Sequence, residues 1–284
     1  MKPGVDRMFA ITRGWDGATG LTPTTTIVPE VDCALSKSDF SSYLAAVKRG
    51  LGAVGGGDQA TAVVLGPVTF VRFCTYGATG QEDISRFNLL TKILPLYQIA
   101  TLGVKKVQIH EPAFVLAEDK LLSLFQQAYP SILTGAVGVS IVMVTYFEGI
   151  GSEKSWKWRM GLKEISKVSL DFIRGDNLQL LKAAGFPKTK TLGAGLIYSR
   201  SIWKMLPEKV EQIWQELIRL GLSDVCIQPA ASLQYVPRTM ECEEALQKHP
   251  AGRVLTFGKE KLAEVQTLAA YFRGDNPKLM STVP

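Results

Sequence analysis

Near-continuous apolar runs recur along the chain, and the stretches between them carry apolar residues at helical spacing. The runs Ile27–Val31, Ala62–Val71, Lys105–Ala113, Val139–Phe147, Lys167–Arg174, Thr191–Tyr198 and Asp224–Leu233 predict strands. Unbroken apolar runs, rather than alternating ones, mark parallel strands covered on both faces. Their starting points lie 24 to 43 residues apart, which leaves room for a crossover helix in every gap. Phe40, Tyr43, Leu44, Val47 and Leu51 share one helical face, with Ser36 and Asp39 in capping-box spacing before them. Gln81–Leu102 is a longer amphipathic stretch with a kink expected at Pro95 and a stop at Gly103. Asp176 is placed to cap a helix over Asn177–Ala184, which Gly185 and Pro187 close. Helices over Ile202–Leu220 and Lys259–Phe272 complete the set.

A strand followed by a helix, seven times over, predicts one α/β domain of the (β/α)8 TIM-barrel type. The expected division is a leader or remnant helix over 1–26, a barrel domain over 27–273 and a tail over 274–284. Seven units are one short of a closed barrel. Because the first 26 residues hold no strand-like run, the expectation is that the first β/α unit is missing from this chain.

Composition narrows the chemistry. The chain has 284 residues, 46% of them hydrophobic and 20% charged, the balance of an ordinary globular protein. It has only two histidines, His110 and His249, and four scattered cysteines, Cys33, Cys74, Cys226 and Cys242. None forms a CxxC or CxxH pair, so neither a disulfide framework nor a zinc cluster is predicted. Free, mostly buried thiols are expected, and with the absence of a leader-like apolar start they point to a cytoplasmic protein. The apolar stretch Ser131–Phe147 is interrupted by glycines and hydroxyls and reads as a loop feeding a buried strand, not a membrane span. The net charge is +6, but Lys154, Lys157, Arg159, Lys163 and their like are dispersed rather than clustered, which argues against a nucleic-acid partner. A small anionic substrate fits that charge, and so does a merely solvated basic surface.

In such a barrel, chemistry belongs where strands end and βα loops begin. The rim candidates are Glu30, Thr69, His110, Glu111, Thr145, Tyr146, Glu148, Asp171, Arg174, Tyr198 and Ser232. Their carboxylates could perform acid–base work, bind an amine, or simply pair with rim cations. His110 beside Glu111 invites a metal reading, but neighbouring strand residues point to opposite faces. Gly55-Gly56-Gly57 follows a helix rather than a strand and reads as a connection, not a phosphate cradle. Trp156-Lys157-Trp158-Arg159 could stack on a pterin or a base, or pack a short helix onto the barrel.

Several segments taken together resemble cobalamin-independent methionine synthase. They are Ile27-Val28-Pro29-Glu30, the run Val64 to Phe70, the run Val107 to Ala113, the run Ser169 to Gly175, and Pro229 to Pro237. The likeness extends from about Met8 to Phe272. It implies an enzyme of two β/α barrels in which the C-terminal one binds zinc and homocysteine. The methyl donor is 5-methyltetrahydropteroyltriglutamate, and the N-terminal barrel helps hold its polyglutamate tail.

By that resemblance this chain is the N-terminal, zinc-less barrel, supporting methyl transfer in methionine biosynthesis. Where the catalytic barrel carries His-x-Cys after a strand-end Thr, Thr145 is followed here by Tyr146-Phe147-Glu148. Its ligand Glu corresponds to Asp171 and its last ligand Cys to Ala231. The resemblance therefore implies no metal and no cofactor on this chain, and zinc only on a partner C-terminal barrel, in cis or in trans. Folate polyglutamate is a second expected partner. Glu30, His110, Glu111, Asp171 and Arg174 are the expected binding residues, with no catalytic residue among them. The family's opening Gly-Phe-Pro-Arg-Ile-Gly strand and Arg-Glu-Leu-Lys helix have no counterpart here, which matches the missing first unit. Two alternatives stand beside this: a stand-alone barrel lyase or transferase acting on a small anionic substrate, and a non-catalytic interaction module.

Overall fold

The computed structural model describes residues 41–58, 60–66, 102–116, 136–222, 224–233 and 239–274, with Thr69, Val236 and several positions between 122 and 133. The expected strand Ile27–Val31, the helix Gln81–Leu102 (Leu102 apart), Glu30 and both expected flanking segments (Gly274 apart) fall outside the described residues. The chain divides into two compact units, one of residues 1–145 and 151–167, the other of residues 146–150 and 168–284.

In the first unit, α1 (Ser41–Val54) precedes β1 (Thr61–Leu65), β2 (Lys106–His110) and β3 (Ser140–Val144). The strands pair in parallel and in register, Leu65 opposite His110 and His110 opposite Val144. Their apolar side chains form the core: Val64, Leu65, Val107, Ile109, Ile141 and Met143 are almost wholly buried. Leu122, Phe125, Tyr129 and Leu133, helical and all buried, recur at the spacing of one helix face. α2 (Glu153–Met160) follows β3, with the Ser152 hydroxyl accepting from the Ser155 N–H at its start.

β4 (Ile165–Asp171) begins in the first unit and ends in the second. The second unit continues with α3 (Asn177–Ala184), β5 (Thr191–Ile197), α4 (Pro207–Arg219), β6 (Val225–Pro229), the short α5 (Glu244–Lys248) and α6 (Gly258–Phe272). β5 is buried along both faces and pairs in parallel with β6. α4 buries Val210, Ile213 and Leu217, and its Trp214 stacks on Phe272 of α6 with ring centres 4.3 Å apart.

Six of the seven expected strands lie among the described residues, each shorter than its apolar run. The second of these, expected to reach Ala113, stops at His110 because Pro112 opens a 3-10 turn over Pro112–Val115. The helix expected from Ile202 begins at Pro207 instead, because the preceding segment is extended and bridges Trp203 to Leu255. Asp176 holds the N-cap position of α3, but its side chain makes no capping bond. Between β6 and α6 the chain forms short turns anchored by Glu260, which accepts from the Thr239 hydroxyl and the Met240 and Phe257 amides. Among the described residues no helix is long and apolar enough to cross a membrane.

Candidate functional site

In the first unit the residue after β2, Glu111, is fully buried. Its Oε2 accepts from the Thr69 amide at 2.8 Å and the Thr69 hydroxyl at 2.7 Å; its Oε1 accepts from the Tyr129 hydroxyl at 2.9 Å. The Thr69 hydroxyl oxygen in turn accepts from the Ala113 amide. Gly66, just past β1, leaves the space this carboxyl occupies, since a Cβ there would collide with it. A buried carboxylate is stabilised by a nearby positive charge, and the charge of Arg159 of α2 is coupled electrostatically to Glu111.

Arg159 is 2% exposed, donates from Nη2 to the Phe114 carbonyl and lies 4.1 Å over the Phe114 ring. Burial lowers its guanidinium to about 9, with the charge of Glu111 opposing that shift, so it stays protonated at neutral pH. Burial, then the charge of Glu111, pushes the Tyr129 hydroxyl well up, keeping it a donor. Trp158 meets Phe114 and Tyr129 edge-on, while Lys157 stays exposed and pairs with Glu153. The Trp-Lys-Trp-Arg segment thus packs a helix onto the unit, and one of the cations expected to be dispersed on the surface is a core residue. Burial, opposing the charged form, holds His110 at about 4, and its Nε2 lies 2.6 Å from the Gln108 amide nitrogen. At neutral pH that ring is uncharged.

In the second unit Asp171 ends β4 and is 2% exposed. Its Oδ1 accepts from the Ile173 and Arg174 amides, and its Oδ2 from the Phe147 amide at 3.3 Å. Burial raises its carboxyl, against those amides and the Arg174 charge. Phe147 adopts φ 98, a strained value for an aromatic residue, and Arg200 lies 4.3 Å over its ring. The Ser199 hydroxyl donates to the Ile197 carbonyl and accepts from the Ala231 amide, binding the ends of β5 and β6 together.

Of the expected site residues, Asp171 and Arg174 lie side by side in the second unit, while His110 and Glu111 are consecutive in the first. Glu30 lies outside the described residues. Arg159, Tyr129, Arg200 and Ser199 were not singled out for these roles by the sequence. Among the described residues no three His, Cys, Asp or Glu side chains converge as metal ligands. In the second unit Asp171 is already held by three amides, and Ala231 offers no donor; these two positions do not fit a zinc ion.

Residues 2–220 match the family model described as "Cobalamin-independent synthase, N-terminal domain". The chain belongs to this family. Among curated relatives of this N-terminal domain, a 5-methyltetrahydropteroyltriglutamate–homocysteine methyltransferase from Thermosynechococcus vestitus is 38% identical over 274 residues. The protein of that name from Trichodesmium erythraeum is 34% identical over 288 residues. The alignments cover 94% and 95% of this chain. The chain spans 35% and 36% of the length of those two relatives. A solved B12-independent methionine synthase from Shewanella sp. W3-18-1, in complex with selenomethionine, shares the fold at a TM-score of 0.53 and 14% identity, over 82% of this chain and 68% of that one. The cobalamin-independent synthase N-terminal domain is therefore α/β with parallel strands in this chain too.

Proposed function

We propose that this chain is the zinc-free N-terminal β/α barrel of a cobalamin-independent methionine synthase. In this reading it supports transfer of a methyl group from 5-methyltetrahydropteroyltriglutamate to homocysteine on a second, C-terminal barrel, joined in cis or acting in trans. The observation that carries the reading is the alignment: nearly all of this chain matches little more than a third of relatives bearing that activity in their names. The donor set of its own rim, which suits amides and guanidinium groups rather than zinc, supports the same division of labour. Zinc bound by the partner barrel would lower the pKa of a substrate thiol.

What this chain's residues do is structural and electrostatic. Glu111 ties the segment after β1, through Thr69, to Tyr129. His110, neutral at physiological pH, is a candidate ligand contact rather than a proton donor. Asp171 shapes the loop after β4, Arg174 offers a charge to an anionic ligand such as folate polyglutamate, and Glu30 is assigned the same contact role. The (β/α)8-type barrel, with seven units recognisable in this chain, belongs to this proposal, as does a cytoplasmic location. Cys226 and Cys242 are exposed rather than buried as expected, and free thiols in that position suit a reducing compartment. An assay of homocysteine methylation with and without a zinc-bearing partner barrel tests the reading.

A further inference from the structure

The ends of β4, β5 and β6 enclose a small cleft lined by Asp171, Arg174, Tyr198, Ser199, Arg200 and Ala231. We propose that this cleft binds the carboxylate group of a small organic anion, held between the guanidinium groups of Arg174 and Arg200.

Both arginines have exposed side chains and follow successive strands, so their charges reach the cleft from two sides. Neither is spent on a salt bridge among the described residues. Arg200 is oriented by the face of Phe147, which fixes its direction without neutralising it. Arg174 faces Asp171, but the two oxygens of that carboxylate are already engaged by the Phe147, Ile173 and Arg174 amides. A third cation stands at the margin, because Lys209 of α4 reaches the Ile173 carbonyl and approaches the Tyr198 ring. Among the residues lining the cleft, two cations face one carboxylate.

The walls are built rather than loose. Ser199 is locked by its bonds to Ile197 and Ala231, and Phe147 is held at a strained φ by its bond to Asp171. Strain that the surroundings over-determine is common where a ligand must be met by a preset surface. A planar carboxylate matches the guanidinium fork, with two parallel N–H donors to two oxygens. A phosphate dianion would carry twice the charge past Asp171, which favours the monoanionic group.

This inference rests on the ligand-contact role given to Arg174 and not on methyl transfer. The test needs no partner barrel, so either reading can fail alone. Calorimetric titration of the full chain with propionate, a monocarboxylate, should give saturable binding at one site. Arg174→Gln and Arg200→Gln should each weaken it at least about tenfold by removing a charge-assisted donor pair. Arg200→Lys should recover only part of the loss, because the charge returns without the fork, and Lys157→Gln should change nothing. Should a Gln variant fail to fold, Arg174→Lys and Arg200→Lys carry the same comparison. The proposal is overturned by absence of saturable binding, by binding that survives the double Arg→Gln variant, or by inorganic phosphate binding more tightly with the same arginine dependence.

Discussion

His110 and Glu111 are neighbours with opposite electrostatic lives. Burial of the imidazole disfavours its charged form, so its pKa in the folded chain falls from 6.5 to about 4. The unfolded chain takes up a proton near 6.5 that the folded chain refuses until about 4, so stability is lost as pH falls through that window. The cost at the acid end is about 3 kcal/mol by linkage. Chemical denaturation between pH 7 and pH 4 should show this slope, and His110→Gln should flatten it. Glu111, in contrast, is held by three hydrogen bonds and acts electrostatically on Arg159. Glu111→Ala leaves Arg159 buried without its counter-charge and the Thr69 amide without its acceptor, and should cost about 3–5 kcal/mol. Replacing both charges, as Glu111→Gln with Arg159→Met, should restore much of that loss, and denaturant midpoints read the difference. This pair was half legible in the sequence. The acid stood out beside His110 at a strand end, but Arg159 looked like one more surface cation on a helix. A buried arginine becomes visible only when the aromatic residues around it are known to converge.

At the scale of elements, the apolar runs located the strands, although only β5 and the end of β4 are buried on both faces as such runs predict. β1, β2 and β3 each begin exposed, and β6 is buried nowhere along its length. Their ends were less legible, since a run such as Lys105–Ala113 continues apolar while Pro112 turns the backbone. α3 and α6 were read almost to the residue because glycine and proline punctuate the one and charge periodicity the other. The turns between β6 and α6 gave no periodic signal; they depend on Glu260 gathering donors from segments some 20 residues away. β5 shows how tightly its strands are fitted. A Cβ at Gly195 would come within 2.6 Å of the Leu170 carbonyl oxygen and 2.7 Å of the Ala230 Cα, both backbone atoms that cannot swing aside. Gly195→Ala should therefore destabilise the second unit by about 1–3 kcal/mol, the usual penalty for overpacking. A thermal melt followed by near-ultraviolet circular dichroism measures it.

For the whole molecule, scarcity of histidine and cysteine pointed away from metal chemistry, and the order of the family-like segments pointed to one half of a two-barrel enzyme. Family membership and the α/β fold were legible because they are written in residues spread over the entire chain. The rim was less so: Arg200 and Ser199 carry no motif, and only the meeting of β4, β5 and β6 gives them a shared purpose. The central claim is that this chain contributes to methyl transfer without performing it. Its most direct test measures methionine formed from homocysteine and 5-methyltetrahydropteroyltriglutamate by the purified chain, by a zinc-loaded C-terminal barrel of a relative, and by the two together. The account predicts no turnover by this chain alone, with or without added zinc, and a higher rate for the mixture than for the catalytic barrel by itself. Methionine formed by this chain alone, or a mixture no faster than the catalytic barrel, would contradict it.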